Sequence, residues 1–247
     1  MGTEKKYVKA LVKVTSEKSY AEDFRNGKLY MNELRYFTKC EKKELEDKLE
    51  GRAASIIYNN MRFNLVDAME LCRPVFCMYG LYDTKYRNTH VVSICNKMQC
   101  FGKYAVVITN VAEFLKRLDR AGVEYSPIKY QNVDKHSLDS QIPYNPIYRK
   151  VEYFKYQQEF RLVKPDLYLT KNSVDKYSGL QTLDDDHFEL FVSEGLQDIT
   201  SPVIPIEEIL MPKQYAIDLT VDWDSVSCNN FIKYKNPCLD RIGEIKK

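Results

Sequence analysis

VFCMYGLY, residues 75–82, is an almost uninterrupted apolar run. A run of this length and composition is typical of a strand that is buried on both faces of a sheet. A second run of the same kind, YAVVIT, follows at residues 104–109. The two runs predict the centre of a β-sheet around which the rest of the chain folds.

Shorter segments with alternating or continuous apolar residues predict further strands on both sides of this centre. They lie at residues 7–14, 28–31, 123–130, 156–163, 187–192 and 216–221, and a hairpin is predicted at 55–58 and 61–65. Many strands that do not alternate regularly with helices indicate an α+β protein with mixed or antiparallel sheets. We predict one such domain over residues 1–247, with two or three helices.

Two of these helices have recognisable ends. Ser19 and Glu22 have the spacing of a capping box, and Asn26-Gly27 is expected to end the short helix that they begin. Asn110 is the expected N-cap of an amphipathic helix over residues 111–120.

The composition excludes several classes of protein. The chain has 247 residues, of which 44% are hydrophobic, and its 37 basic and 35 acidic residues give a net charge of +2. This balance excludes a strongly electropositive nucleic-acid coat and an intrinsically disordered chain. The amino terminus lacks the pattern of a signal peptide, no apolar window is long enough to span a membrane, and the seven cysteines are scattered. We therefore expect a cytoplasmic protein without membrane association.

Two segments are expected to lie outside the packed core. Residues 38–52, TKCEKKELEDKLEGR, are almost entirely charged and predict a solvated helix or a mobile loop. The polar tail at about residues 228–247 is expected to be loosely held.

Cysteine spacing offers one candidate metal site. Cys72 and Cys77, and then Cys95 and Cys100, form two C-x4-C pairs whose thiolates suit a structural zinc. However, Cys77 lies inside a predicted strand, where its separation from Cys72 places the two side chains on opposite faces. We predict no bound metal and keep the zinc site as an alternative. The sequence also lacks the P-loop, G-x-G-x-x-G, G-x-S-x-G and H-E-x-x-H motifs.

Residues 144–163 interleave aromatic side chains with cations. Arg149, Lys150 and Lys155 are the candidate contacts for nucleic acid or a partner protein, because aromatic faces and cations together stack on and neutralise nucleotides. The alternative is that the aromatic side chains fill the core while the charges face outward.

The strand QEFRLV, residues 158–163, has a definite periodicity. Phe160 and Leu162 point to one face, whereas Glu159 and Arg161 point to the other. An unpaired buried charge costs several kcal/mol or more, so this pair must be solvated, paired or functional. It is either a structural salt bridge or a glutamate that steadies a developing ribosyl cation, held by its neighbouring arginine.

Several stretches, taken in order, resemble a large bacterial and phage family of unknown function, with relatives among abortive-infection phage-resistance proteins. The stretches are LVKVTS (11–16), FRNGKLYMNELRYF (24–37), VFCMYGLY (75–82), FGKYAVVITN (101–110) and YFKYQQEFRLV (153–163). They span roughly residues 7–165, and the last is the most specific of them. The resemblance implies a role in phage–bacterium conflict, as a toxin or a defence effector.

The same order is similar, more loosely, to the core of ADP-ribosyltransferases. That core has a first strand with an anchor for nicotinamide adenine dinucleotide (NAD), a helix, a second strand with an aromatic residue and a late strand with a catalytic glutamate. The resemblance implies that Glu159 is the catalytic residue, Tyr30 the ring-stacking aromatic residue and Lys13 the anchor. The transferases have histidine or arginine at the anchor, and lysine lacks the planar fork of arginine.

An NAD-dependent mono-ADP-ribosyltransferase is the function that this likeness implies, with an ADP-ribosyltransferase-like fold. Thr15 and Arg161 would join the NAD site, and Tyr79 or Tyr156 would complete an aromatic clamp with Tyr30. The acceptor would be a nucleic acid or a protein, and an antitoxin or a phage protein is the expected partner. The alternative function is a non-catalytic module that binds nucleic acid or protein.

Overall fold

A computed structural model describes residues 7–40, 46–59, 61–66, 68–83, 90–131, 145–164, 180–183 and 187–221. Its strands, in chain order, are β1 (Tyr7–Thr15), β2 (Lys28–Glu33), β3 (Arg52–Tyr58), β4 (Met61–Val66), β5 (Pro74–Asp83), β6 (Val91–Val92), β7 (Tyr104–Ile108), β8 (Glu124–Pro127), β9 (Lys129–Gln131), β10 (Arg149–Val151), β11 (Glu159–Val163), β12 (Leu180–Thr182), β13 (His187–Phe191), β14 (Ile204–Pro205) and β15 (Tyr215–Ala216). The α-helices within these ranges are α1 (Lys18–Arg25), α2 (Ala68–Leu71) and α3 (Val111–Arg120).

One nine-stranded sheet dominates the fold. Its order is β12-β13-β2-β5-β1-β7-β14, with β11 paired to β5 and β8 paired to β11. All of these pairs are antiparallel. The predicted α+β class with largely antiparallel sheets is therefore confirmed, and the apolar run at residues 75–82 does form a central strand, β5.

The two edges of β5 are occupied differently. β11 pairs with residues 75–79 along one edge. β2 pairs only with residues 74 and 75, and β1 pairs with residues 79–83. Residue 75 pairs with both β11 and β2, and residue 79 pairs with both β11 and β1. Because a strand has one neighbour on each edge, β1 and β2 both lie on the edge opposite β11, one after the other. Within the described part of the chain, residues 76–78 pair with neither β1 nor β2. The two strands therefore separate at this point, and we call the opening between them the fork.

Each face of the sheet has its own core. Phe160 and Leu162 lie in a cluster with Phe114 of α3 and Phe24 of α1, which confirms the predicted face of β11. Tyr79 belongs to a second cluster on the opposite face. Burying each such side chain stabilises the fold by about 1.5–3 kcal/mol.

The helix ends agree with the sequence in part. The Asn110 side chain accepts a hydrogen bond from the backbone N–H of Glu113 at 3.0 Å, which confirms the predicted cap of α3. The capping box predicted for α1 is wrong, because the N-cap is Glu17, without a side-chain cap, and Ser19 lies inside the helix. Gly27, which follows the end of α1, has a φ of 92°. A Cβ atom at this position would lie 2.5 Å from the carbonyl oxygen of Val192, so a side chain does not fit there.

Three predicted strands are shorter than expected. The segment 123–130 is divided into β8 and β9, and the segment 216–221 contributes only Ala216 to a two-residue strand. The segment 156–163 is extended only from Glu159, because residues before it form a 3-10 turn and Gln158 adopts a left-handed φ of 41°. The predicted hairpin is confirmed, with Tyr58 opposite Met61.

The charged segment at residues 38–52 is not solvated throughout. Asp47 is 3% exposed and Glu50 is 1% exposed, so the prediction is wrong for both. Glu50 is buried because it forms an ion pair with Arg161, a buried cation on β11. Residues 41–45 and the tail at 228–247 lie outside the described residues. Within those described, no helix is long and apolar enough to cross a membrane.

Candidate functional site

The fork opens into a cleft with two lobes. The lobe on the side of Glu159, called the inner lobe, has a volume of about 240 Å³, and the lobe on the side of Thr15, called the outer lobe, has a volume of about 560 Å³. The two lobes adjoin, since both are lined by Lys13, Val14, Tyr30, Asn32, Phe76 and Phe101. Backbone pairing explains the opening, because β1 and β2 diverge where residues 76–78 pair with neither.

Glu159 lies at the wall of the inner lobe. It is opposite Tyr79 in the register of β11 and β5, and paired residues in antiparallel strands project to the same face. The side chain is 4% exposed. One carboxylate oxygen accepts a hydrogen bond from Arg161 Nε at 2.7 Å, and the other accepts one from Lys150 Nζ at 2.7 Å.

These contacts fix the charge of Glu159. Burial alone would raise the pKa of its carboxyl group, but the positive charges of Arg161 and Lys150 outweigh burial and hold the pKa well below its usual range. Glu159 is therefore ionised at neutral pH. The sequence left a structural salt bridge and a functional carboxylate as alternatives. The structure shows that the salt bridge forms and that the same carboxylate lines a cavity.

The ion pair extends into a chain of four alternating charges: Glu50, Arg161, Glu159 and Lys150. Arg161 is fully buried, and its Nη1 donates to Glu50 Oε1 at 2.8 Å and to the carbonyl oxygen of Ile147 at 2.5 Å. As formal charges the four cancel, which limits the desolvation cost of burying them, but burial still raises the pKa of the Glu50 carboxyl group against the opposing charges of Arg161 and Lys150. Sequence reasoning missed Glu50 because it lies in a segment rich in charged residues, as on a solvated surface.

Lys13 lies at the fork itself. Its Nζ atom donates to the carbonyl oxygen of Cys77 at 3.1 Å and lies 3.8 Å from the ring centroid of Phe76. The lysine thus satisfies a carbonyl in the segment of β5 that neither β1 nor β2 pairs with. Burial lowers the pKa of Lys13 to about 8, although the nearby Cys77 and Glu159 act in the opposite direction.

Aromatic and amide side chains complete the cleft. Tyr30 is 50% exposed, lines both lobes and stacks on the His187 ring at a centroid distance of 5.4 Å. Tyr79 lines the inner lobe, where its hydroxyl accepts a hydrogen bond from Gln158 at 2.7 Å. Sequence reasoning missed Asn32, which lies two residues after Tyr30 on the same face of β2 and lines both lobes.

The other predicted NAD-binding residues are placed less uniformly. Thr15 lines the outer lobe. Among the described residues, Tyr156 and Arg161 line neither lobe, and Arg161 lies behind Glu159 as its ion-pair partner. The structure therefore brings Lys13, Tyr30, Tyr79 and Glu159 together in the inner lobe.

The three cations predicted to contact nucleic acid or protein do not share one surface. Arg149 and Lys150 are both 8% exposed. Arg149 donates to the carbonyl oxygen of Arg52 at 3.0 Å, and Lys150 faces the cleft. Lys155 is exposed and forms a 3.4 Å ion pair with Glu152. The cations of this region are thus used mainly inside the fold.

The four cysteines of the C-x4-C pairs are free thiols: Cys72, Cys77, Cys95 and Cys100. Among the described residues, no group of three or more histidine, cysteine, aspartate and glutamate side chains is arranged to hold a metal ion. Burial raises the pKa of the Cys77 thiol to about 12, so it remains protonated beside Glu159.

Comparison of the chain with protein-family models, with curated proteins and with solved structures gives no match. The functional inference therefore rests on the residues that line the fork and on the resemblance drawn from the sequence.

Proposed function

We propose that the fork binds NAD and that the protein transfers ADP-ribose from it to an acceptor on a macromolecule. The observation that supports this most directly is that Lys13, Tyr30 and Glu159, which come from three different strands, line one lobe of the cleft. These are the anchor, the stacking residue and the catalytic residue that the likeness to ADP-ribosyltransferases implies.

The cleft suits a dinucleotide in size and in chemistry. The two lobes taken together have a volume within the range of small-molecule sites, which is commonly about 300–1,000 Å³. The half-exposed ring of Tyr30 offers a stacking surface for a heteroaromatic ring. Lys13 stands between the lobes and supplies a cation for a ribose hydroxyl or a phosphate oxygen.

Glu159 would act on the bond between ribose C1′ and the nicotinamide ring nitrogen. As this bond breaks, its electron pair leaves with nicotinamide and positive charge develops on the ribose. An ionised carboxylate at the cavity wall stabilises that charge, and aiming a preorganised charge in this way is commonly worth about 10²–10³ in rate. The acceptor then attacks C1′ and loses its proton. With water as acceptor, the products are ADP-ribose, nicotinamide and a proton.

Lys150 and Arg161 hold Glu159 in position for this role. Each of its carboxylate oxygens accepts one hydrogen bond from a cation, and the Cys77 thiol donates a further one to the carboxylate, which leaves acceptor capacity for one ribose hydroxyl. The ion pairs reduce the negative charge that the substrate experiences, but they also fix the orientation of the carboxylate without a rearrangement during the reaction.

The experiment compares Glu159→Gln with the wild-type chain. Each purified protein is incubated with labelled NAD and a cell lysate, and free nicotinamide and labelled macromolecules are measured. We expect the wild type to release nicotinamide and Glu159→Gln to lose at least about 10² of that rate. Glu152→Gln is the matched control, because Glu152 is exposed and pairs with the exposed Lys155. Absence of both products with the wild type would contradict the proposal, as would full activity of Glu159→Gln.

A non-catalytic module for nucleic acid or protein is the alternative from the sequence. It predicts oligonucleotide binding that weakens steeply with salt, together with no affinity for NAD. The burial of Arg149 and Lys150 gives it less support than the cleft gives the transferase. A role in phage–bacterium conflict and an antitoxin or phage partner stay predictions of the family resemblance, and a cytoplasmic location stays a prediction from the amino terminus and the scattered cysteines.

A further inference from the structure

Lys13 has a position that the proposed transfer reaction does not fully use. It is the cation that, among the described residues, lines both lobes of the cleft. Its Nζ atom is held from one side by the carbonyl oxygen of Cys77 at 3.1 Å, over the face of the Phe76 ring. A primary amine that donates one such hydrogen bond keeps its lone pair available once it has lost a proton. The amine therefore faces a cavity in a geometry that suits attack on a bound molecule.

Desolvation makes this amine available near neutral pH. Burial lowers the pKa of Lys13 to about 8. About a quarter of the amine is then neutral at pH 7.5, against about one part in a thousand for an ordinary lysine. The charged side chains that line the lobes around it are Glu159 and Lys150 on the inner side and Asp23, Lys28 and Glu189 on the outer side. This set includes carboxylates on both sides of the amine.

We propose that Lys13 is a covalent attachment site for small aldehydes, which it binds as an imine. The lysine nitrogen forms a bond to the aldehyde carbon, the aldehyde oxygen leaves as water, and the product is a protonated imine. Starting from the lysine ammonium and the aldehyde, atoms and charge balance, because one positive charge is present before and after the reaction. No oxidant or reductant is needed.

Imine formation keeps the positive charge of Lys13, and this favours a carbonyl compound over an acylating compound as the ligand. A protonated imine keeps a cation over the Phe76 ring and near Glu159, so the contacts that stabilise the lysine ammonium remain. An amide would remove that charge and lose them. An aldehyde that extends from Lys13 into the inner lobe has about 240 Å³ to occupy, which suits a small molecule.

The experiment uses the wild-type chain, propionaldehyde and sodium cyanoborohydride, which reduces an imine to a stable secondary amine. Modified lysines are located and timed by peptide mass spectrometry. Lys9 is the internal control, because it lies on the same strand, donates to the Val91 carbonyl oxygen at 2.8 Å and also has a pKa lowered by burial. Among the described residues, however, Lys9 lines neither lobe. The ratio of the two rates therefore reflects both the lower basicity of Lys13 and its cavity, whereas saturation of the rate with aldehyde concentration reports binding in the cavity.

We expect Lys13 to be modified at least about tenfold faster than Lys9 at pH 7.5, with a rate that saturates as propionaldehyde is raised. The rate at Lys9 should remain proportional to concentration. Equal rates at the two lysines, or a Lys13 rate that never saturates, would overturn the proposal. The inference does not rest on NAD cleavage, and this experiment contains no NAD, so either proposal can fail without the other.

Discussion

The buried charge chain allows a sharp prediction at Arg161. Arg161→Met keeps much of the apolar volume of the side chain but removes the guanidinium, which contacts Glu159 at 2.7 Å and Glu50 at 2.8 Å. Removing one partner of a buried ion pair typically costs about 3–5 kcal/mol, because an uncompensated charge remains. Here two carboxylates lose a partner, and Lys150 compensates them only in part, at 2.7 Å from Glu159 and 3.8 Å from Glu50. We therefore expect a loss of about 3–5 kcal/mol in the free energy of unfolding, a large share of a typical total of about 5–15 kcal/mol.

Urea unfolding followed by circular dichroism measures this loss. The matched control is Arg120→Met, because Arg120 is 52% exposed and its ion pairs with Glu113 and Glu194 are solvated. That control should change the free energy of unfolding by no more than about 1 kcal/mol. If Arg161→Met fails to fold, adding Glu50→Gln should restore part of the stability, since it removes one of the uncompensated charges. An Arg161→Met protein as stable as Arg120→Met, or a double variant without any recovery, would refute the reasoning.

Two further predictions concern the scaffold and its response to acid. Asn110→Ala removes the cap that accepts the Glu113 N–H, and should lower the free energy of unfolding by about 0.5–2 kcal/mol in the same urea assay. The folded-state pKa of Glu159 lies below its unfolded value, so its stabilisation is present above the unfolded pKa of about 4.3 and is lost as the pH falls below it. The wild type should therefore lose more stability than Glu159→Gln between pH 5 and pH 2, and equal losses would contradict this assignment.

Local patterns in the sequence predicted much of the scaffold. The apolar run of β5, the cap of α3 and the two faces of β11 follow from side-chain type and periodicity alone. Glu159 and Arg161 were singled out for the same reason, since two charges on an apolar strand require partners. That they are paired with each other follows from adjacent positions on one face of a strand.

The fork and the rest of the charge chain depend on contacts between distant segments. The fork exists because β1 and β2 take different parts of one edge of β5, and strand pairing of this kind leaves no local signal in the sequence. Glu50 lies 111 positions from Arg161 in the chain, in a segment whose composition resembles a solvated surface. Asn32 was missed because a single amide in a strand is unremarkable until the strand borders a cavity.

We propose that the fork between β1 and β2 holds NAD with its ribose beside Glu159. A crystal structure of the Glu159→Gln chain, grown with saturating NAD so that the dinucleotide stays intact, tests it most directly. We predict density for the dinucleotide in the cleft, with a ring stacked on Tyr30, a polar atom of the ligand within hydrogen-bond distance of Lys13 Nζ, and the ribose next to residue 159. An empty fork under these conditions, or a dinucleotide bound elsewhere on the chain, would contradict the account.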